Sequence, residues 1–182
     1  MVGQRSTPLG IVASQTWEQV CNYLQAIEEY HIKLFVELGI HKGGLAAVML
    51  ARTEYVSDFH YLGVEIDRER VDWRVRDNIL GNPRADAIYG DCLSDSVKFT
   101  VSNTIQQAGG KVFLLCDNGN KSCEIDAYAP LIRPGDYLAA HDYPAEIGDD
   151  DLLFLDDSPY YEAVNPQRWR YILHVPLYRR VM

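Results

Sequence analysis

Five short apolar runs, Ile32 to Leu38, Tyr61 to Ile66, Ala85 to Tyr89, Val112 to Cys116 and Tyr137 to Ala140, alternate along the chain with stretches of helical spacing. Nearly continuous apolar strands are what a parallel sheet covered on both faces requires, because neither face meets water. The intervening helices run near Leu45–Arg52, Arg68–Leu80, Asp95–Ala108 and Ser122–Leu131, and another at Thr16–Tyr30 leads into the first strand through Trp17, Val20, Cys21, Leu24 and Ile27. Strand–helix alternation of this kind predicts right-handed crossovers, with any ligand gathered at the carboxyl ends of the strands.

Beyond Pro144 the reading is an acidic loop, Glu146 through Asp157, followed by Arg168–Val175 and Pro176–Val181 as a closing antiparallel pair. The expected fold is thus α/β: a Rossmann-like three-layer sandwich with a mostly parallel sheet of about seven strands, built as a single domain over residues 1–182. A chain of 182 residues with 47% hydrophobic content has the material for one such core but not two.

The formal net charge of −9 argues against nucleic acid as a partner, since that affinity comes from Lys and Arg releasing counterions. Met1–Ser6 lacks the apolar stretch of a signal peptide, and no run has the length of a membrane span, so a cytoplasmic protein is expected. Cys21, Cys92, Cys116 and Cys123 show no metal-binding rhythm and read as reduced thiols, three of them in or near the core.

The strand ends carry the chemistry. The first strand runs into Glu37-Leu38-Gly39 and then Gly43-Gly44, a loop whose glycines let backbone approach a ligand closely. This spacing is not the G-x-G-x-x-G of a pyrophosphate site. A carboxylate at Glu37 suits a cationic ligand, and S-adenosylmethionine carries both a sulfonium and an ammonium group. Glu65, ending the second strand, stands where such folds hydrogen-bond ribose hydroxyls, with Asp67 as the fallback. Asp91, after the third strand, is placed for an adenine amine, with the neighbouring backbone at Cys92 reading the ring edge. Asp117 after the fourth strand, and His141 and Asp142 after the fifth, converge if those strands are neighbours. They then either hold a hard cation such as Mg²⁺, deprotonate an acceptor hydroxyl, or serve a structural or substrate-contact role.

These residues, together with Gly63-Val64-Glu65, Gly90-Asp91 and the run Tyr128 to Tyr137, resemble class I S-adenosylmethionine-dependent methyltransferases. More narrowly the chain is similar to the cephalosporin hydroxylase and rhamnosyl O-methyltransferase group and to the macrocin-type sugar O-methyltransferases, over roughly residues 33 to 143. The resemblance implies that Asp117, His141 and Asp142 bind Mg²⁺, and that Asp117 also borders the cofactor. Two positions depart from the pattern: His141-Asp142 replaces a pair of carboxylates, and Asn120 stands where a histidine is often found. With so little chain outside the fold, the acceptor site is expected from the 146–161 loop, a partner subunit in a homo-oligomer, or a large substrate in an open cleft. The leading expectation is O-methylation of a small hydroxylated, sugar-like acceptor. The alternatives are a non-catalytic cofactor-binding or regulatory subunit, and another nucleotide-dependent enzyme of the same architecture.

Overall fold

In the computed structural model, which describes residues 8–182, the chain runs α1 (Trp17–Glu29), β1 (Ile32–Leu38), α2 (Gly44–Tyr55), β2 (His60–Glu65), α3 (Trp73–Gly81), β3 (Ala85–Tyr89), α4 (Asp95–Gln107), β4 (Lys111–Cys116), α5 (Lys121–Tyr128), β5 (Tyr137–Ala140), α6 (Asp149–Asp156), β6 (Tyr161–Ala163) and β7 (Leu177–Arg180). The leader-free reading of Met1–Ser6 lies outside the described residues. One seven-stranded sheet has the order β3-β2-β1-β4-β5-β7-β6. The first five strands are parallel, and β7 pairs antiparallel with β5 and with β6. This is the expected Rossmann-like α/β sheet.

β1 is central because its residues suit burial on both faces. Leu34, Val36 and Leu38 pack into one apolar layer with Leu114 and Ile125, while Phe35 joins Tyr23, Phe113 and Trp169 in the other. Phe35 stacks on Phe113 at 5.2 Å between ring centroids, tying β1 to β4 through their side chains as well as their backbones. α1 begins with a capping box: Thr16 accepts from the Gln19 amide, and the Gln19 side chain accepts from the Thr16 amide.

The C-terminal region corrects the sequence reading at two places. The antiparallel pair is present, but its strands are Tyr161–Ala163 and Leu177–Arg180; the expected strand at Arg168–Val175 is instead a π-helical segment, Gln167–Ile172. Helical winding points Trp169 and Leu173 into the same apolar layer, both almost fully buried, which strand alternation also allows. The deciding contacts are the Arg168 amide on the Asn165 side chain and the Leu173 amide on the Arg168 carbonyl, which close the turn. The acidic loop also contains a helix, Asp149–Asp156. Three of its four aspartates crowd the first turn, where negative charge meets the positive end of the helix dipole, and Leu152 and Leu155 bury its inner face. Of the cysteines, Cys92 and Cys116 are buried and Cys21 and Cys123 exposed, one fewer in the core than expected. Among the described residues no helix is long and apolar enough to cross a membrane.

Candidate active site

The strand order puts the carboxyl ends of β1, β2, β4 and β5 along one edge, with β1 and β4 at its centre. Gly39 follows β1 with φ +100°, and an added Cβ there would lie 2.6 Å from the Asp117 carbonyl oxygen. Only glycine lets the first loop touch the fourth this closely. Gly43 caps α2 in the left-handed region, and a Cβ on Gly44 would meet the Ala13 backbone at 2.5 Å. The segment before α1 therefore lies directly on the glycine loop.

Glu37 is buried beneath this elbow, and its carboxyl accepts a hydrogen bond from the Tyr61 hydroxyl at 2.6 Å. Burial, against that hydrogen bond, pushes its pKa well above the usual carboxylate range and holds it toward the neutral form. A cationic group placed beside it would favour the ionised form. Glu65 ends β2, buried, and accepts from the His41 amide at 2.8 Å, which joins the second strand end to the glycine loop. Arg70 lies 3.6 Å from its other oxygen. Asp91 stands apart: it is exposed, and its carboxylate accepts from the Leu93 amide at 2.9 Å. Cys92 beside it is buried, and its carbonyl accepts from the Tyr128 hydroxyl at 2.6 Å. The Asn118 side chain reaches the Cys92 sulfur at 3.2 Å, so the third strand end meets the fourth through these two residues.

Asp117, His141 and Asp142 do converge. One ligand atom from each falls within a 4.8 Å group, with His141 Nδ1 lying 3.1 Å from Asp117 Oδ1 and 2.9 Å from Asp142 Oδ1. Burial alone would drive the imidazole toward neutrality, but the two carboxylates outweigh it and push His141 up to about 10. The hydrogen bond from His141, reinforced by Lys121, draws Asp142 down to about 2.

Four residues that the sequence reading did not single out complete the site. Gln19 Oε1 lies 3.1 Å from His141 Nε2, and Gln15 donates from its side-chain amide to Asp117 Oδ2. Lys121 is buried, with its ammonium 3.3 Å from Asp142, 2.5 Å from Glu146 and 4.0 Å from Asp117. The Tyr23 hydroxyl is buried without a hydrogen bond, and Asp117, Asp142 and Glu37 act on it electrostatically. Lys121 follows Asp117 by one helical turn at the start of α5, a spacing that could have drawn attention. The reach of Gln15 and Gln19 across the fold left no mark in the sequence.

Two buried polar atoms on this edge make no hydrogen bond, His41 Nδ1 on the glycine loop and the Tyr23 hydroxyl, and His141 Nδ1 beside them has only the two carboxylates for partners. Buried groups of this kind normally have partners, so their gathering marks a place built for a polar ligand. The donor set also fits a divalent cation, since two carboxylate oxygens and an imidazole nitrogen face one another. A cleft of about 600 Å³ lies elsewhere, beside Arg68, Ile79 and Tyr89, and none of Glu37, Gly39, Glu65 or Asp117 lines it.

Glu124 supports the site from below, accepting the Asn118 and Asn120 amides at 3.3 and 3.2 Å. Burial raises its carboxyl from 4.5 to about 7. A raised pKa means that the folded state binds the proton more tightly, so this contribution to stability is complete below pH 4.5 and is lost as pH rises through 7. The expected result is a melting temperature whose fall across that window is shallower in Glu124→Gln than in wild type, measured by scanning calorimetry.

The family model for rhamnosyl O-methyltransferase/CmcI matches residues 2–174. No curated protein matches the sequence. Among solved structures, an apo form of CmcI superposes with a TM-score of 0.71 at 18% identity, covering 95% of this chain and 75% of its own. The form titled Mg-SAM gives 0.71 at 18% identity, covering 98% and 77%. CalS11, a TDP-rhamnose 3'-O-methyltransferase in calicheamicin biosynthesis, gives 0.54 at 14% identity, covering 88% and 79%. At these identities the superpositions establish the fold, and it is the match along nearly the whole sequence that places this chain in the rhamnosyl O-methyltransferase/CmcI family.

Proposed function

We propose that the chain is an S-adenosylmethionine-dependent O-methyltransferase for a sugar-like hydroxylated acceptor, working as one cytoplasmic domain over residues 1–182 and open to homo-oligomer formation. The observation that carries the reading is the meeting of Asp117, His141 and Asp142 at the strand ends beside a glycine elbow with a buried carboxylate. Family membership supports it, as do neighbours named for Mg and SAM and for a rhamnose acceptor.

In this reading Glu37 lies near the cationic amino-acid end of the cofactor, Gly39, Gly43 and Gly44 supply close backbone, and Glu65 takes the ribose hydroxyls in place of its present amide and Arg70 contacts. Asp91 and the Cys92 backbone border the adenine, and Asp117 borders the cofactor from the fourth strand. When bound, S-adenosylmethionine supplies a methyl group on a sulfonium, and a divalent cation held by Asp117, His141 and Asp142 would lower the pKa of the acceptor hydroxyl. Asp142 is the one member of the trio with substantial exposure, 39% of its side chain, so it is the group an acceptor can reach. Without a cation His141 is held as an imidazolium and has no lone pair with which to take a proton; with one bound, Nδ1 would turn that lone pair to the ion, and in both states His141 orients Asp142. Asp142 is accordingly the residue that would receive the acceptor proton, the sulfur–methyl bond breaking as the oxygen–methyl bond forms, with S-adenosylhomocysteine left behind. Most of the acceleration would come from holding the two partners in line.

Calorimetry with S-adenosylhomocysteine and with NAD separates the main readings, and S-adenosylhomocysteine is the expected ligand. Methyl transfer is then assayed against a panel of nucleotide sugars and small glycosides. Binding without transfer to any hydroxylated acceptor would leave a regulatory subunit, whereas binding of NAD alone would overturn the assignment.

A further inference from the structure

The three-donor cluster contains a feature that decides which cation suits it. Gln19 cannot rotate its amide freely: Oε1 accepts from the Thr16 amide at 2.8 Å, and Nε2 donates to the Leu173 carbonyl at 2.8 Å. The atom 3.1 Å from His141 Nε2 is therefore an acceptor, and His141 Nε2 must carry a hydrogen. In the neutral imidazole this leaves a bare lone pair on Nδ1. That lone pair faces one oxygen of Asp117 and one of Asp142, at 3.1 and 2.9 Å. Three electron-rich atoms so close need a positive charge among them, either a proton on Nδ1 or a metal ion in its place. His141 is only 3% exposed, so water does not relieve the crowding.

The remaining oxygens are already committed. Asp117 Oδ2 accepts from Gln15, and Asp142 Oδ2 lies 3.3 Å from the Lys121 ammonium. Each carboxylate thus turns a single oxygen toward Nδ1, a set of one nitrogen and two oxygens. Mg²⁺ is a hard ion that favours oxygen ligands, whereas imidazole suits ions such as Fe²⁺, Ni²⁺ and Zn²⁺, with Mn²⁺, at the foot of the first-row affinity order, between the two.

We infer that this site is selective for a borderline divalent transition cation over Mg²⁺, with His141 Nδ1 as a ligand and Gln19 as the residue that presents its lone pair. A histidine ligand steered through its second nitrogen is a common way to set tautomer and basicity at a metal. The inference deepens the reading above while being separable from it: S-adenosylhomocysteine calorimetry without metal tests that reading, and metal titration without S-adenosylhomocysteine tests this one.

The experiment titrates the full-length, metal-stripped protein with Mn²⁺ and with Mg²⁺ by calorimetry, and records electron spin echo spectra of the Mn²⁺ form. Expected are Mn²⁺ binding at least about 30-fold tighter than Mg²⁺ and a nitrogen-14 modulation from a bound imidazole. His141→Asp should bring the two affinities within a few-fold of each other and remove the modulation. Gln19→Leu should weaken Mn²⁺ binding about tenfold, with a smaller effect on Mg²⁺, which a purely structural role would not do. Equal affinity for the two ions in wild type, no nitrogen coupling, or no Mn²⁺ binding would each overturn the inference. The wild-type spectra alone decide it if His141→Asp does not fold.

Discussion

An Asp142→Ala protein is expected to bind S-adenosylhomocysteine as tightly as wild type and to transfer methyl groups at least about 100-fold more slowly, within the usual range for loss of a general base. The separation follows from position. Asp142 follows β5, outside the elbow formed by Gly39, Glu37 and Glu65, and its ion-pair partners are His141 and Lys121. Its removal also leaves the imidazolium of His141 with Asp117 as its only carboxylate and frees Lys121 to lean on Glu146 at 2.5 Å. Calorimetry and a methyl-transfer assay on the same preparation check both halves. Unchanged turnover would remove Asp142 from the chemistry.

Gly39→Ala is expected to have the larger effect on the fold and to abolish cofactor binding with it. The added methyl would lie 2.6 Å from the Asp117 carbonyl oxygen and 2.9 Å from the Asn118 nitrogen, and the backbone there has φ +100°. Neither neighbour is a flexible side chain, so the end of β4 must move or the loop must unwind. Strain at such a residue costs about 1–3 kcal/mol, and overpacking a similar amount, so a loss of about 3 kcal/mol or more is expected in urea unfolding. Gly119→Ala is the matched control, since its Cβ would meet nothing within 4 Å, and it should stay within about 0.5 kcal/mol of wild type.

The parallel half of the sheet was legible because its signals are local. Ile32–Leu38 and Val112–Cys116 are apolar on both faces, and Gly39, Gly43 and Gly44 sit where strand gives way to helix. The convergence of Asp117 with His141 and Asp142 needed only the inference that β4 and β5 are neighbours. The C-terminal third was harder to read. Trp169, Leu173 and Val175 present apolar positions that suit a strand or a helix, and the choice was made by an Asn165 cap and by packing on Tyr23, contacts invisible in a short window. Gln15 and Gln19 were missed for a similar reason: each reads as an ordinary polar residue at a helix start, and each meets its partner more than a hundred positions downstream. Lys121 reads as a solvated lysine, and only the three carboxylates around it show otherwise.

The stretch from Ala13 to Gln19 touches the glycine elbow, the fourth-strand aspartate and the fifth-strand histidine in turn. An affinity handle fused just ahead of it, or trimming that reaches Ala13, is consequently not a neutral change to the protein. Preparations that differ only at their front ends should differ in how firmly they hold small ligands, and assays comparing them ought to keep that end the same.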